Sequence, residues 1–276
     1  MVLGGSGFLG KSIVKKLSER GIRNTGFASM HNKNSRNKRI DILNYNQLEE
    51  ESRAFDTVVN CTGQISFPIN QCFLLNSKAI LNLIKICNKY DKKLIQLSTV
   101  AVYGTTDYAL EENPLNPETP YSTCKAYSEF LINEFIPDRK KTIYRISNLY
   151  GIGSKGISGY VYKSFISDRK LYFNNNGSLK RFFMHVDDCA NLIVESMLQD
   201  IYGTYNLSGE EEYTVREFIK LVSTLTKSKF KVKYAKREPY ENIENISNDK
   251  LSKEIKIEFK NNLPGFIRKS FNDKIK

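Results

Sequence analysis

The stretch VLGGSGFLGKSIVKKLSERG, residues 2–21, decides the fold. Val2 and Leu3 form a short apolar lead, and Gly4, Gly7 and Gly10 follow at three-residue spacing. The amphipathic run that begins at Lys11 then places Ile13, Val14 and Leu17 on one helical face, and Gly21 offers a left-handed terminator. Strand, glycine turn and helix in this order are the setting of a dinucleotide-binding loop. Gly4 and Gly7 have no Cβ and let the backbone approach a pyrophosphate, while Gly10 lets helix and strand pack closely. Phe8, Leu9 and Gly10 lead into the helix, whose start offers free N–H groups and a partial positive charge to phosphate oxygens. A buried strand usually runs to about five residues. Only three residues precede Gly4, so a few native residues are expected to be missing there.

Outward from this stretch the rhythm repeats. Short apolar runs at 26–28, 57–61, 94–97 and 142–146 alternate with amphipathic ones. The run 76–90 carries Ile80, Leu83, Ile84 and Cys87 on one face, and 122–135 carries Ala126, Phe130 and Leu131 before Pro137. This alternation predicts an α/β fold, a doubly wound parallel sheet with helices on both faces. After Gly151 the rhythm loosens into glycine- and asparagine-rich stretches. The expected division is a dinucleotide-binding part over 1–150 and a mainly substrate-binding lobe over 151–276, in one integrated domain with one element returning to the sheet.

The 276 residues, 40% apolar and 26% charged, describe an ordinary globular chain. No basic-apolar leader and no long apolar run is present, which points to the cytoplasm and away from a membrane. Five cysteines without C-x-x-C spacing and two histidines leave little from which to build a metal site, and the thiols are expected to be reduced and mostly buried. A net charge of +12 attracts nucleic acid or anionic small molecules alike. The basic residues are scattered and no nucleic-acid motif accompanies them, so a phosphate-bearing substrate and cofactor are the expected partners.

The end of the second strand reads the cofactor's adenosine ribose. An acid there accepts the hydroxyls of NAD, whereas basic residues suit the 2′-phosphate of NADP. The residues are Ala28, Ser29 and Met30, followed by His31, Lys33 and Arg36, with no acid among them. NADP is therefore expected over NAD.

Tyr121 and Lys125 are four apart on the helix read at 122–135, which puts both side chains on one face. A free phenol titrates near ~10, too high for acid–base work at neutral pH, and a neighbouring ammonium is expected to lower it. Tyr121 then exchanges a proton with a substrate hydroxyl or carbonyl while hydride moves to or from a nicotinamide. Thr99, at the end of the strand read at 94–97, is placed to bond the same substrate oxygen, with Ser98 beside it.

With these motifs in order the chain resembles the extended short-chain dehydrogenase/reductase family, Rossmann-type enzymes acting on nucleotide-activated sugars. The resemblance rests on GGSGFLG (4–10), DIL (41–43), VVNCTG (58–63), Asn76, LSTVAVYG (97–104), YSTCK (121–125), YRISNLYG (144–151), RFFMHVDD (181–188) and YNLSG (205–209). It implies that Asp41 and Ile42 meet the adenine, that Cys61, Thr62 and Gly63 line the cofactor, that Asn76 and Lys125 lie by the nicotinamide ribose, and that Asn148, Arg181 and Arg237 hold the substrate's phosphates. It also implies that His185 and Asp187 hold the lobe junction, that a homodimer forms through two helices per subunit, and that the setting is glycan assembly such as bacterial surface polysaccharide.

Departures from the family pattern narrow the reaction. Sugar 4,6-dehydratases carry an acidic pair after the catalytic threonine, where this chain has Val100 and Ala101. The epimerase-reductases that form deoxyhexoses use a cysteine where Ala101 stands. What remains is an NADP-dependent 4-ketosugar reductase, with an NAD-dependent 4-epimerase as the alternative. A redox-inert RNA-binding or regulatory scaffold is the third reading, and the intact Tyr121, Lys125 and Thr99 set argues against it.

Overall fold

Burial of the short apolar runs builds one central sheet. The computed structural model describes residues 1–29, 37–63 and 66–272. In chain order its elements are β1 (Val2–Leu3), α1 (Phe8–Glu19), β2 (Gly26–Ser29), β3 (Arg39–Ile40), α2 (Tyr45–Ser52), β4 (Thr57–Asn60), α3 (Ile69–Asn76), α4 (Lys78–Lys89), β5 (Lys93–Thr99), β6 (Thr106–Ala109), α5 (Pro120–Phe135), β7 (Lys141–Ile146) and β8 (Asn148–Tyr150). There follow α6 (Ile157–Ser167), β9 (Leu171–Phe173), β10 (Lys180–His185), α7 (Val186–Leu198), β11 (Gly203–Leu207), β12 (Glu211–Thr214), α8 (Val215–Thr226), β13 (Val232–Tyr234), β14 (Ile243–Ile246), α9 (Asp249–Ser252) and α10 (Leu263–Asn272).

Among the described residues the main sheet has the order β11-β7-β5-β4-β1-β2-β3, and every neighbouring pair is parallel. Successive strand residues point to opposite faces, so Leu3, Val58 and Leu94 enter one core with Ile80, Leu83 and Ile132. Val2, Val59 and Ile95 enter the other, with Ile13, Leu17 and Ile193. The strand order reverses between β1 and β4, and in such sheets the crevice beyond the carboxyl ends of the strands at that switch is where ligands bind. The glycine loop after β1, the turn after β4 and the end of β5 all open there.

Helix α1 begins at Phe8, three residues earlier than the periodicity alone predicts, and closes as expected: Gly21, at φ +68°, donates its N–H to Ser18 O. Helix α5 starts with a reciprocal cap between Thr119 and Ser122 and has Pro120 in its first turn. Leu131 and Ile132 are its core contacts. Phe130, expected in the core, is 60% exposed and stacks on Tyr127 instead, because the buried stripe runs one residue further round the helix.

The C-terminal part adds a three-stranded sheet, β12-β10-β8, over a third core of Phe183, Phe218, Val222, Ile267 and Phe271. Strand β11 returns to the edge of the main sheet. Ser12 Oγ donates to Asp187 Oδ1 at 2.8 Å and His185 Nδ1 accepts from Asp187 N, joining α1 to the start of α7. The five cysteines are free thiols, four buried and Cys61 half-buried. Among the described residues no helix is long and apolar enough to cross a membrane.

Candidate active site

The glycine loop fits a dinucleotide by what it excludes. A Cβ on Gly10 would stand 2.2 Å from Gly4 O, and one on Gly4, at φ +74°, would stand 3.0 Å from Cys61 O. Gly7 heads α1 with no side-chain cap, and the first turn holds no acid. The N–H groups at Phe8, Leu9 and Gly10 therefore remain for an anion. Ser29 ends β2 exposed. His31, Lys33 and Arg36 lie outside the described residues. Asp41 follows β3 half-buried, its Oδ1 accepting from Leu43 N, and Ile42 packs into the core.

After β4, Asn60 Oδ1 accepts from both the N–H and the hydroxyl of Thr62. The resulting turn places Cys61 O against Gly4. Burial pushes the Cys61 thiol up to about 12. Asn76 is spent within the protein: its amide donates to Gly63 O at 3.2 Å and Cys72 O at 2.9 Å, and its Oδ1 accepts from Ser128 Oγ. It supports the turn at Gly63 from beneath.

Lys125 is fully buried, and its ammonium donates to Leu97 O at 3.0 Å and Thr62 O at 3.2 Å. Burial lowers its pKa from 10.5 to about 8. Tyr121, one turn earlier on α5, is half-buried. Its phenol is pushed up rather than down, first by burial and then by Cys72 and Glu241. The expectation that Lys125 acidifies it is thus not met in this structure, because the ammonium is turned onto two carbonyls.

Thr99 ends β5 half-buried, with its Oγ1 accepting from Ala101 N. It lines a cavity of about 60 Å³ together with Asn148, Arg181 and Glu241. Among the described residues neither the Asn148 amide nor the Arg181 guanidinium makes a hydrogen bond or ion pair, and burial lowers the pKa of Arg181 against the pull of Glu241. A wider open cleft of about 570 Å³ is mostly apolar, lined by Ile69, Phe73, Pro117, Pro120 and Cys124 with Asn70, Glu118, Thr119 and Thr123.

Two expected substrate contacts lie elsewhere. Ser98, pointing to the opposite face of β5 from Thr99, donates to the buried Glu129, which pairs with Arg145 at 2.8 Å. Arg237 is exposed, stacked on Tyr240 at 4.1 Å. Glu241 was not anticipated from sequence: it belongs to no motif and reaches α5 from 120 residues downstream.

The sequence model of the NAD dependent epimerase/dehydratase family matches residues 1–208. The chain belongs to the NAD dependent epimerase/dehydratase family. This is the extended short-chain dehydrogenase/reductase group that the sequence motifs resemble. Within this family it is 25% identical over 259 residues to UDP-glucuronic acid decarboxylase 1 of Danio rerio, covering 85% of this chain and 62% of the fish protein. The chain thus spans less than two thirds of that relative. It is 24% identical over 251 residues to GDP-6-deoxy-D-talose 4-dehydrogenase of Aggregatibacter actinomycetemcomitans, covering 84% of this chain and 82% of that protein. The crystal structure of Thermus thermophilus UDP-glucose 4-epimerase in complex with NAD has the same fold, with a TM-score of 0.83 at 23% identity and coverage of 98% and 97%.

Proposed function

We propose that the protein is an NADP-dependent reductase of a nucleotide-activated 4-ketosugar, with Tyr121 as the proton donor. The observation that carries this reading is the convergence of Asn148 and Arg181, both with unspent hydrogen-bonding capacity, on the cavity that Thr99 lines. A guanidinium with free donors fits a phosphate. An uncharged amide beside it adds donors without competing charge.

The bound nicotinamide nucleotide supplies the hydride. Gly4, Gly7 and the start of α1 would hold its pyrophosphate, and Cys61, Thr62, Gly63 and Lys125 would hold its ribose end. Thr99 Oγ1 donates to the sugar's carbonyl oxygen, and Tyr121 Oη gives that oxygen a proton as it becomes a hydroxyl. The raised phenol keeps Tyr121 protonated at neutral pH, the state from which a donor starts. Val100 and Ala101 offer no acid or base with which to remove water. The acid-free end of β2 supports NADP over NAD.

The test is stoichiometry. The expected result is one NADPH consumed per nucleotide-4-ketosugar reduced, with tighter binding of NADP than of NAD. Interconversion of two epimers on bound NAD, without net cofactor turnover, would replace this reading with the epimerase one. We further propose that the chain works as a homodimer through Phe73 and Leu74 of α3 and Tyr127 and Phe130 of α5, which together form an exposed apolar surface.

A further inference from the structure

Glu241 is the one carboxylate among the described residues lining the cavity with Thr99 and Arg181. It lies between β13 and β14 at φ +55°, where a residue with a side chain is disfavoured and must be held. Two sets of bonds hold it. Its N–H donates to the Glu118 carboxylate, and its own Oε1 receives Thr119 Oγ1 at 2.7 Å and Ser122 Oγ. Thr119 and Ser122 are the two partners of the reciprocal cap on α5, and each hydroxyl accepts from backbone while donating to Glu241. Tyr121 sits between them.

From this geometry we infer that Glu241 is a positioning residue: it clamps the first turn of α5 to the C-terminal lobe and keeps Tyr121 a proton donor. This rests on the reductase reading and sharpens it, since a neighbouring negative charge disfavours phenolate. A ketone reductase needs the proton in place, whereas oxidation of a sugar hydroxyl needs it gone. Besides Glu241, Cys72 from α3 raises the phenol; Lys125 lies one turn further along α5, Arg181 of β10 feels Glu241, and Glu118 binds the Glu241 N–H. Arg181 faces Glu241 across the cavity and feels its charge, so the substrate's phosphate and the clamp meet at one guanidinium.

Glu241→Gln separates charge from clamp, because the amide oxygen accepts the same two hydroxyls. With difluorotyrosine incorporated at position 121, whose phenol is more acidic, fluorine NMR follows that single ionisation without substrate. The expected result is a midpoint about one pH unit lower in Glu241→Gln than in the parent, the effect of one nearby partly buried charge, with the thermal midpoint retained. The alkaline limb of kcat for ketosugar reduction moves the same way. Superimposable fluorine titrations would overturn the proposal. If Glu241→Gln does not fold, the same titration on Glu241→Asn decides, since it removes the charge, keeps an amide oxygen and tolerates the positive φ. A shifted titration in a protein that reduces no nucleotide-ketosugar would leave this inference standing and remove the reductase reading.

Discussion

Lys125 carries a charge into a fully buried position, and among the described residues its ammonium donates to two carbonyls, Thr62 O and Leu97 O. Its pKa of about 8 in the folded protein, against an ordinary 10.5, means that below pH 8 folding bears the cost of a buried cation. Between those values the unfolded chain holds the proton that the native state has released, so stability rises with pH across that window. Relative to Lys125→Met, the wild type should gain up to about 3 kcal/mol from the lower to the upper end, at roughly 1.4 kcal/mol per pH unit. Urea unfolding midpoints of both proteins across the window check this, and parallel curves would refute it. Gly10→Ala brings a methyl to within 2.2 Å of Gly4 O. The loop must open to admit it, and calorimetry should find at least tenfold weaker cofactor binding, with NAD and NADP affected alike. At this scale the spacing was legible, since Tyr121 and Lys125 lie one turn apart on α5, whereas the raised phenol was not. Ser98 and Thr99 are equally plausible as letters, but the alternation of β5 sends one to the core and the other to the cavity. Glu241 acts through a contact between distant segments, and no local pattern announces it.

Helix α5, packed on the core through Leu131 and Ile132, is also tied to the sheet through Glu129. Its carboxylate pairs with Arg145 of β7 and receives Ser98 Oγ of β5, while Arg145 also reaches Tyr103, whose hydroxyl donates to Asn206 of β11. The network ties the helix bearing Tyr121 to the strand bearing Thr99. Removing one partner of a buried ion pair leaves the other charge unpaired, so Glu129→Ala should lose about 3–5 kcal/mol of stability. A chemical unfolding curve within 1 kcal/mol of wild type, taken roughly as no effect, would show that the pair is not what anchors the helix. The elements themselves were legible wherever an apolar period was long: α1, α4, α5 and the strands β1, β2, β4, β5 and β7 lie where the pattern predicts them, within a few residues. Helix α3 was missed because its eight residues, INQCFLLN, bury only Cys72 and Asn76 and so carry almost no amphipathic signal. Strand β3 is as short as β1, but its residues, Arg39 and Ile40, form no apolar pair and no glycine turn follows them.

For the whole molecule, the parallel order β11-β7-β5-β4-β1-β2-β3 gathers loops from distant segments at one edge, and that gathering makes the site. The order was foreseeable in kind, since βα repeats admit few handed connections. Which loops of the C-terminal part would reach the cavity was not. Phe73 is 53% and Phe130 60% exposed in the single chain. If α3 and α5 form the proposed homodimer, Phe130→Asp should convert it to monomer at micromolar concentration, read by light scattering. An unchanged mass would place the interface elsewhere. The central claim is that Tyr121 delivers the proton while NADPH delivers hydride to a nucleotide-bound ketosugar. Its most direct test is the single-turnover rate of NADPH oxidation in Tyr121→Phe. The account predicts a fall of about 10²–10⁴-fold with NADPH affinity unchanged, and a Tyr121→Phe enzyme that turns over at the wild-type rate would contradict it.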